Sequence, residues 1–572
     1  VSAYVPPALA AGRAWGFGLN LYALRSPRNW GVGDFTDLAA VVARAGVLGA
    51  DLVGVGPLHA LHYLEPEAAS PYSPTSRSFL NPIYLDVERV PEFRGNTPAA
   101  AALRDRVASP AFSAQLAALR ASAHVEYARA ARAKWSALEV CYDVLRAGGD
   151  PARTETFRAY VADGGERLER FAVHQALAER FAREPGGSRH WQQWPPAYRD
   201  AGSGEVRTWA ARARKRVEYY KYLQWLTEDQ LAWVARGASA LAIGLYLDVA
   251  VGVAADAADV WADPGAYDLA SHVGAPPDPL GPAGQDWGLP PPRPDAMLRD
   301  GGAGFSAMLA HNMAHAGALR LDHVMALRRL FTIPRGARAS EGRYVDYPFE
   351  ELLAVVSARS RDARCVVIGE DLGTVPEGFR PRLEREGLLS YRLLPFQRDA
   401  EGAFLPPDRY PVLALATAST HDLPTLAGWV LGRDVAIRER LGIFSADEAE
   451  RARVERTREV TALGDALVRA GVLAGTERDA AFETVAAVER DAAAIAPLAR
   501  ATYGYLARSA AKLVVVALDD AVGEVEQINL PGTNAEYANW RRKQRATIDE
   551  IFDRPDIVAL ARDVSVAVRG QS

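Results

Sequence analysis

Eight short runs of mainly apolar residues, most of them closing on or near a polar or charged residue, punctuate this chain. They are Gly16 to Leu24, Leu52 to Leu58, Leu241 to Val249, Gly317 to Met325, Cys365 to Leu372, Leu388 to Phe396, Val412 to His421 and Leu513 to Leu518. Runs this short, apolar throughout, suit strands buried on both faces, as in a parallel sheet. The segments between them show the three-to-four-residue periodicity of amphipathic helices; one follows Gly31 to Ala45 and is opened by Asp34, a natural N-cap. Eight strands interleaved with helices predict an α/β protein, a (β/α)8 TIM barrel carrying large, mainly helical insertions.

The spacing of the runs sets the predicted organisation. Residues 1–90 begin the barrel, residues 91–237 form a helical insertion, and residues 238–572 complete the barrel. Within the first insertion, Thr97 to Gly237 is rich in alanine and arginine, with breaks at Gly148 to Pro151 and Pro185 to Gly204. Trp191 and Trp194 in that segment are expected to pack between helices. A second helical insertion is predicted at about 445–508. Two loops are too long for simple connectors: Ser70 to Ser78, and the proline-rich stretch 274–292, which carries Trp287. Long loops of this kind usually serve function, and Tyr72, Trp287 and Pro276 to Pro279 are candidates for a lid over a site.

Composition narrows the class of function. With 572 residues, 49% hydrophobic and 24% charged, the chain has the make-up of a soluble globular enzyme. A net charge of −5 leaves no basic surface for nucleic acid. Two cysteines, Cys141 and Cys365, are expected to be buried free thiols, which excludes a disulfide framework and a thiolate metal site. Neither a cleavable signal nor an apolar run of about 20 residues is present, so a soluble, cytoplasmic protein without membrane contact is expected. The first residue is Val1 rather than methionine, which suggests a trimmed chain.

Chemistry concentrates at the ends of three predicted strands. The fourth ends at Asp322, the fifth at Glu370 and the seventh at Asp422. In such a barrel the catalytic groups come from the C-terminal ends of different strands. Three carboxylates in one mouth oppose each other's ionisation, which suits glycoside chemistry better than structure. One attacks the anomeric carbon, one protonates the leaving oxygen, and the third steadies the cationic transition state; in a retaining enzyme the first two lie about 5 to 5.5 Å apart. Arg320 shares a strand face with Asp322 and should keep it anionic, which makes Asp322 the nucleophile; Arg320→Ala is accordingly expected to impair catalysis more than folding. Glu370 follows an apolar run, has Asp371 beside it and faces other anions, all of which raise a carboxyl toward a general acid. His421 and Asp422 can bind sugar hydroxyls. The candidate substrate-binding residues are Arg320, His323, His421, Asp248, Tyr72, Trp287 and Asp371.

These motifs resemble those of the amylomaltases, the 4-α-glucanotransferases of glycoside hydrolase family 77. The likeness rests on R-L-D-H at Arg320 to His323, G-E-D-L-G at Gly369 to Gly373 and S-T-H-D-L-P-T at Ser419 to Thr425. It extends to W-G-V-G-D-F from Trp30, S-P-Y from Ser70, D-V-A-V-G-V from Asp248, G-Q-D-W-G from Gly284, Q-I-N-L-P-G-T from Gln527, and Asn539-Trp540. The resemblance implies Asp322 as nucleophile, Glu370 as acid/base and Asp422 as transition-state stabiliser. It also implies α-1,4-glucans and maltooligosaccharides as donor and acceptor, retention of anomeric configuration, and no metal or organic cofactor. Two positions depart from the pattern: Pro279-Leu280 stands where many members carry an aromatic pair, and Leu289 where they carry asparagine. Grip on the donor chain and product size are expected to differ accordingly. The details are nearest the longer bacterial form without its N-terminal extension. An α-amylase-type hydrolase and a non-catalytic glucan-binding protein are the alternatives.

Overall fold

The computed structural model describes residues 2–148, 150–277 and 283–570; Pro279 and Leu280 lie outside them. Eight parallel strands close into a barrel: β1 (Ala14–Leu19), β2 (Leu52–Val55), β3 (Gly244–Val249), β4 (Ala318–Leu321), β5 (Val366–Gly369), β6 (Leu389–Leu393), β7 (Ala414–Thr417) and β8 (Leu513–Ala517). Each pairs with its neighbours in sequence, and β8 closes on β1. Seven of the strands fall inside an apolar run and are shorter than it, whereas β1 begins at Ala14, two residues before its run. The first run leaves the strand at a 3-10 turn over Leu21–Ala23, and the fourth at His323, whose φ is 47°.

Both strand faces are buried, which is why the runs are apolar throughout. Leu513 and Val515 join Ala14, Leu52, Ala318, Ile368 and Leu415 in a cluster inside the barrel, whereas Val514 and Val516 join the cluster under the surrounding helices. The helix Phe35–Val47 starts where Asp34 accepts hydrogen bonds from the backbone of Thr36 and Asp37, at 3.0 and 3.1 Å. Arg28 binds Asp34, Asp37 and Asp86 together. The W-G-V-G-D-F stretch therefore anchors a helix start.

Between β2 and β3, helices Tyr127–Arg146, Pro151–Arg183 and Arg214–Ala238 share a core of their own, in which Trp191 and Trp194 are buried. A second helical group, including Ala446–Arg469 and Ala496–Ala507, lies between β7 and β8. The segments after β3 and β4 hold an element the hydrophobic pattern did not predict, a four-stranded antiparallel sheet. Its order is Arg343–Asp346, Arg329–Pro334, Ser271–Ala275, Gln285–Leu289. Since it grows from segments leaving the C-terminal ends of two barrel strands, it stands at the mouth where the acids were expected. Among the described residues no helix is long and apolar enough to cross a membrane.

Candidate active site

Strand register brings the acids together. In the β4–β5 pair, Leu321 faces Gly369, so the next residues, Asp322 and Glu370, leave adjacent strands at the same level. In the β3–β4 pair, Asp248 faces Arg320. Gly369 is required here, because a Cβ at that position would lie 2.8 Å from Val324, in the turn that follows Asp322. Asp322, Glu370 and Asp422 line one cleft of about 1380 Å³ together with Arg320, His323, His421, Tyr72 and Trp287.

Arg320 is the hub of this cleft. Its Nη1 donates to both oxygens of Asp248, at 2.9 and 2.8 Å, and its Nη2 lies 2.9 Å from Asp322 Oδ1. All three side chains are largely buried. Removing a guanidinium that serves two buried carboxylates leaves both uncompensated, a loss of about 3 to 5 kcal/mol for a buried pair. The expectation that Arg320→Ala would impair catalysis more than folding therefore gives way. The variant should lose stability on that scale as well as activity, and a urea midpoint equal to that of the unaltered protein would contradict the hub.

A chain of contacts continues from Asp248 to Asp422. Tyr72 donates its hydroxyl to Asp248 Oδ2 at 2.6 Å and stacks on His421 with ring centroids 4.4 Å apart. The Tyr72 hydroxyl also lies 3.2 Å from His421 Nδ1. His421 Nε2 lies 3.2 Å from Asp422 Oδ2 and donates to it. Burial acts to lower the His421 pKa, but Asp422 outweighs that and the pKa is raised. For Asp422 the effects mirror these: burial acts upward, and His421 with the Asn529 amide, 2.7 Å from Oδ1, pulls the carboxyl below its ordinary value.

Glu370 is held by backbone. His323 N–H donates to Oε2 at 2.9 Å and Leu372 N–H to Oε1 at 2.7 Å. The left-handed backbone of His323 is uncommon for any residue with a Cβ, and strain of this kind persists where the surroundings fix it. Burial raises the Glu370 pKa against the lowering pull of Arg320 and these two N–H groups, and Asp371 adds to the rise. Burial likewise raises Asp322, to about 6, despite Arg320. The asymmetry expected from sequence, a lowered Asp322 beside a raised Glu370, is absent because desolvation exceeds the effect of one guanidinium shared between two acids.

The other candidates divide. Trp287 stands edge-on to His323 at 5.2 Å, and burial lowers the His323 pKa to about 4, so its imidazole is neutral. Asp248 lies beneath the cleft and reaches it through Tyr72 and Arg320. Asp371 turns away altogether: it is fully buried, lies 2.6 Å from Arg380 and 3.3 Å from Arg392, and accepts from Tyr391 N–H at 2.9 Å. Glu370 and Asp371 both lie just past the end of β5, and the two arginines with the Tyr391 N–H hold Asp371 away from the cleft that Glu370 lines. Two residues given no role from sequence do belong to it. Asn529 holds Asp422, and the Trp540 ring lies 5.5 Å from Tyr72 and 5.3 Å from His421. Both sit in stretches quoted for the resemblance, the one signal that could have found them.

The chain is similar to known proteins over most of its length. Residues 19–547 match the family model described as 4-alpha-glucanotransferase. The chain is 36% identical over 570 residues to a 4-alpha-glucanotransferase of Haemophilus influenzae, covering 96% of this chain and 78% of that protein. It is 35% identical over 585 residues to one of Mycobacterium tuberculosis, covering 98% and 76%. Among solved structures it is similar to the amylomaltase from Corynebacterium glutamicum, with a TM-score of 0.84, 30% identity and coverage of 98% of this chain and 76% of that one. It also shares its fold with an amylomaltase from Streptococcus agalactiae solved in complex with acarbose, with a TM-score of 0.75, 17% identity and coverage of 98% and 100%.

Proposed function

The chain belongs to the 4-alpha-glucanotransferase family, and from that premise we propose that it moves α-1,4-glucan segments between maltooligosaccharides by double displacement through a covalent glucosyl-enzyme. Asp322 attacks the anomeric carbon as the glycosidic bond breaks, and Glu370 gives its proton to the departing 4-oxygen. An acceptor 4-hydroxyl then enters, loses its proton to Glu370 and displaces Asp322, which returns the anomeric centre to its starting configuration. Asp422, kept anionic by His421 and Asn529, steadies the positive charge that develops on the sugar in both steps.

The observation that carries this reading is the level alignment of Asp322 and Glu370 at the ends of adjacent strands. Neighbouring strands lie about 4.8 Å apart, close to the 5 to 5.5 Å that direct attack by a carboxylate needs and short of the 6.5 Å or more that an intervening water takes. The contact of Asp322 with Arg320 supports it as the carboxyl that stays anionic when the pair holds one proton. Hydrolysis shares the first step, and the two outcomes differ in whether water or a sugar hydroxyl resolves the intermediate.

Incubation with maltotriose separates the readings. Transfer yields glucose plus a ladder of longer maltooligosaccharides. A gain of reducing ends without any longer chain would make the protein a hydrolase, and unchanged maltotriose would make it a binding protein.

A further inference from the structure

The catalytic chemistry accounts for the cleft floor and leaves one wall without a role. That wall is the antiparallel sheet, which contributes Arg329, Phe331 and Tyr344 to the lining. Tyr344 keeps 38% of its surface exposed, although it is a large aromatic side chain. The Arg329 guanidinium lies 3.9 Å from the centroid of its ring, and Phe331, directly opposite on the neighbouring strand, meets it edge to face at 5.2 Å. Arg329 forms no ion pair among the described residues, and its Nε is buried without a hydrogen-bond partner. Arg320 and Arg398 in the same cleft also have an unpartnered Nε but are paired with acids, so Arg329 is set apart by its uncompensated charge beside an exposed ring.

The register gives the width of this wall. Tyr344 faces Phe331, Phe331 faces Gly274, and Gly274 faces Asp286, the residue before Trp287. Three strand spacings separate the first from the last, about 14 Å. Trp287 in turn stands beside His323, next to Asp322, on the edge strand opposite to that of Tyr344. A chain of several glucose units crosses that span, and a trisaccharide straddling the acids does not.

We propose that Tyr344 and Arg329 form a distal carbohydrate subsite, which binds a glucose unit of the same α-1,4-glucan chain whose scissile bond lies at Asp322 and so sets preference for longer chains. The inference rests on the glucanotransferase reading. The apolar C–H face of a glucose ring stacks on the tyrosine, and the free guanidinium donors bind its hydroxyls. Arg329 also fixes the ring orientation through the cation–π contact.

The test compares chain lengths. Loss of a stacking face should make Tyr344→Ala raise KM for maltoheptaose and amylose roughly three- to tenfold, with kcat unchanged. Maltotriose disproportionation should stay within about twofold, and Tyr344→Trp should restore long-chain KM because it returns a flat ring. Arg329→Gln provides an independent variant with the same length dependence. An equal loss on short and long substrates would mark Tyr344 as merely structural, and an unchanged KM on long chains would remove the subsite; either outcome overturns the proposal. Failure of the unaltered enzyme to lengthen maltotriose would instead overturn the transferase reading, so the two failures are told apart.

Discussion

Asp322→Asn should abolish glucosyl transfer while leaving a folded protein, with turnover on maltotriose reduced about 10⁴-fold or more, equivalent to roughly 5.5 kcal/mol of transition-state stabilisation. The amide has the shape of the carboxylate but cannot form the glucosyl ester. Stability should move differently. In the fold the Asp322 carboxyl is raised from 3.8 to about 6, with burial the largest cause. A carboxyl raised in this way binds more protons folded than unfolded across that window, so its ionisation costs stability as pH rises through it, and the cost is gone below about pH 4. Asparagine carries no such cost, and Asp248 remains to balance Arg320. The melting temperature at pH 7 should therefore be unchanged or higher. Retained turnover would refute the nucleophile, and a collapsed melting transition would refute this account of the charge balance.

Glu370→Gln should produce the second large effect, one that depends on the leaving group. With maltooligosaccharides, loss of the acid should cost about 10² to 10⁴ in rate. With α-maltosyl fluoride, whose fluoride departs without a proton, the first step should survive. Resolution by a sugar acceptor would remain slow, since it needs the same residue as base. Azide attacks without surrendering a proton, so added azide should restore turnover and give α-maltosyl azide, with retained configuration. The pH profile offers a further check. The proposed reaction needs Asp322 charged and Glu370 protonated, so activity should rise with pH near 6 and fall again as the pair loses its remaining proton. These limbs belong to the pair rather than to either residue alone. In Glu370→Gln the alkaline limb should vanish. Equal damage with fluoride and with glucan substrates would argue against an acid/base role.

The barrel was legible because parallel strands are buried on both faces: eight apolar runs mark eight strands, and Asp322, Glu370 and Asp422 follow three of them. The antiparallel sheet was not, since its strands are short, interrupted by glycine and proline, and only partly covered, so neither a continuous apolar run nor a clean alternation announces them. Asp371 was assigned to the site by adjacency to Glu370. Its partners Arg380 and Arg392 follow it by 9 and 21 residues, a pairing that appears only once β5 and β6 are side by side. The attraction between Arg320 and Asp322 could be read from their spacing. The depth of burial that outweighs it could not, because it is a property of the closed mouth. Asn529 reaches Asp422 across 107 residues of sequence.

The alignment of Leu321 with Gly369 makes the backbone ladder the ruler for the reacting groups. Side-chain rotamers adjust that spacing only finely, so the chain divides into regions of very different mutational latitude. Residues could be added among the helices between β2 and β3, where loop length costs little, without altering the separation of the acids. One residue gained or lost within β4 or β5 would turn an acid to the opposite face. Such a barrel can acquire or shed whole helices over evolutionary time and still keep one reaction, provided that a few strand residues never slip.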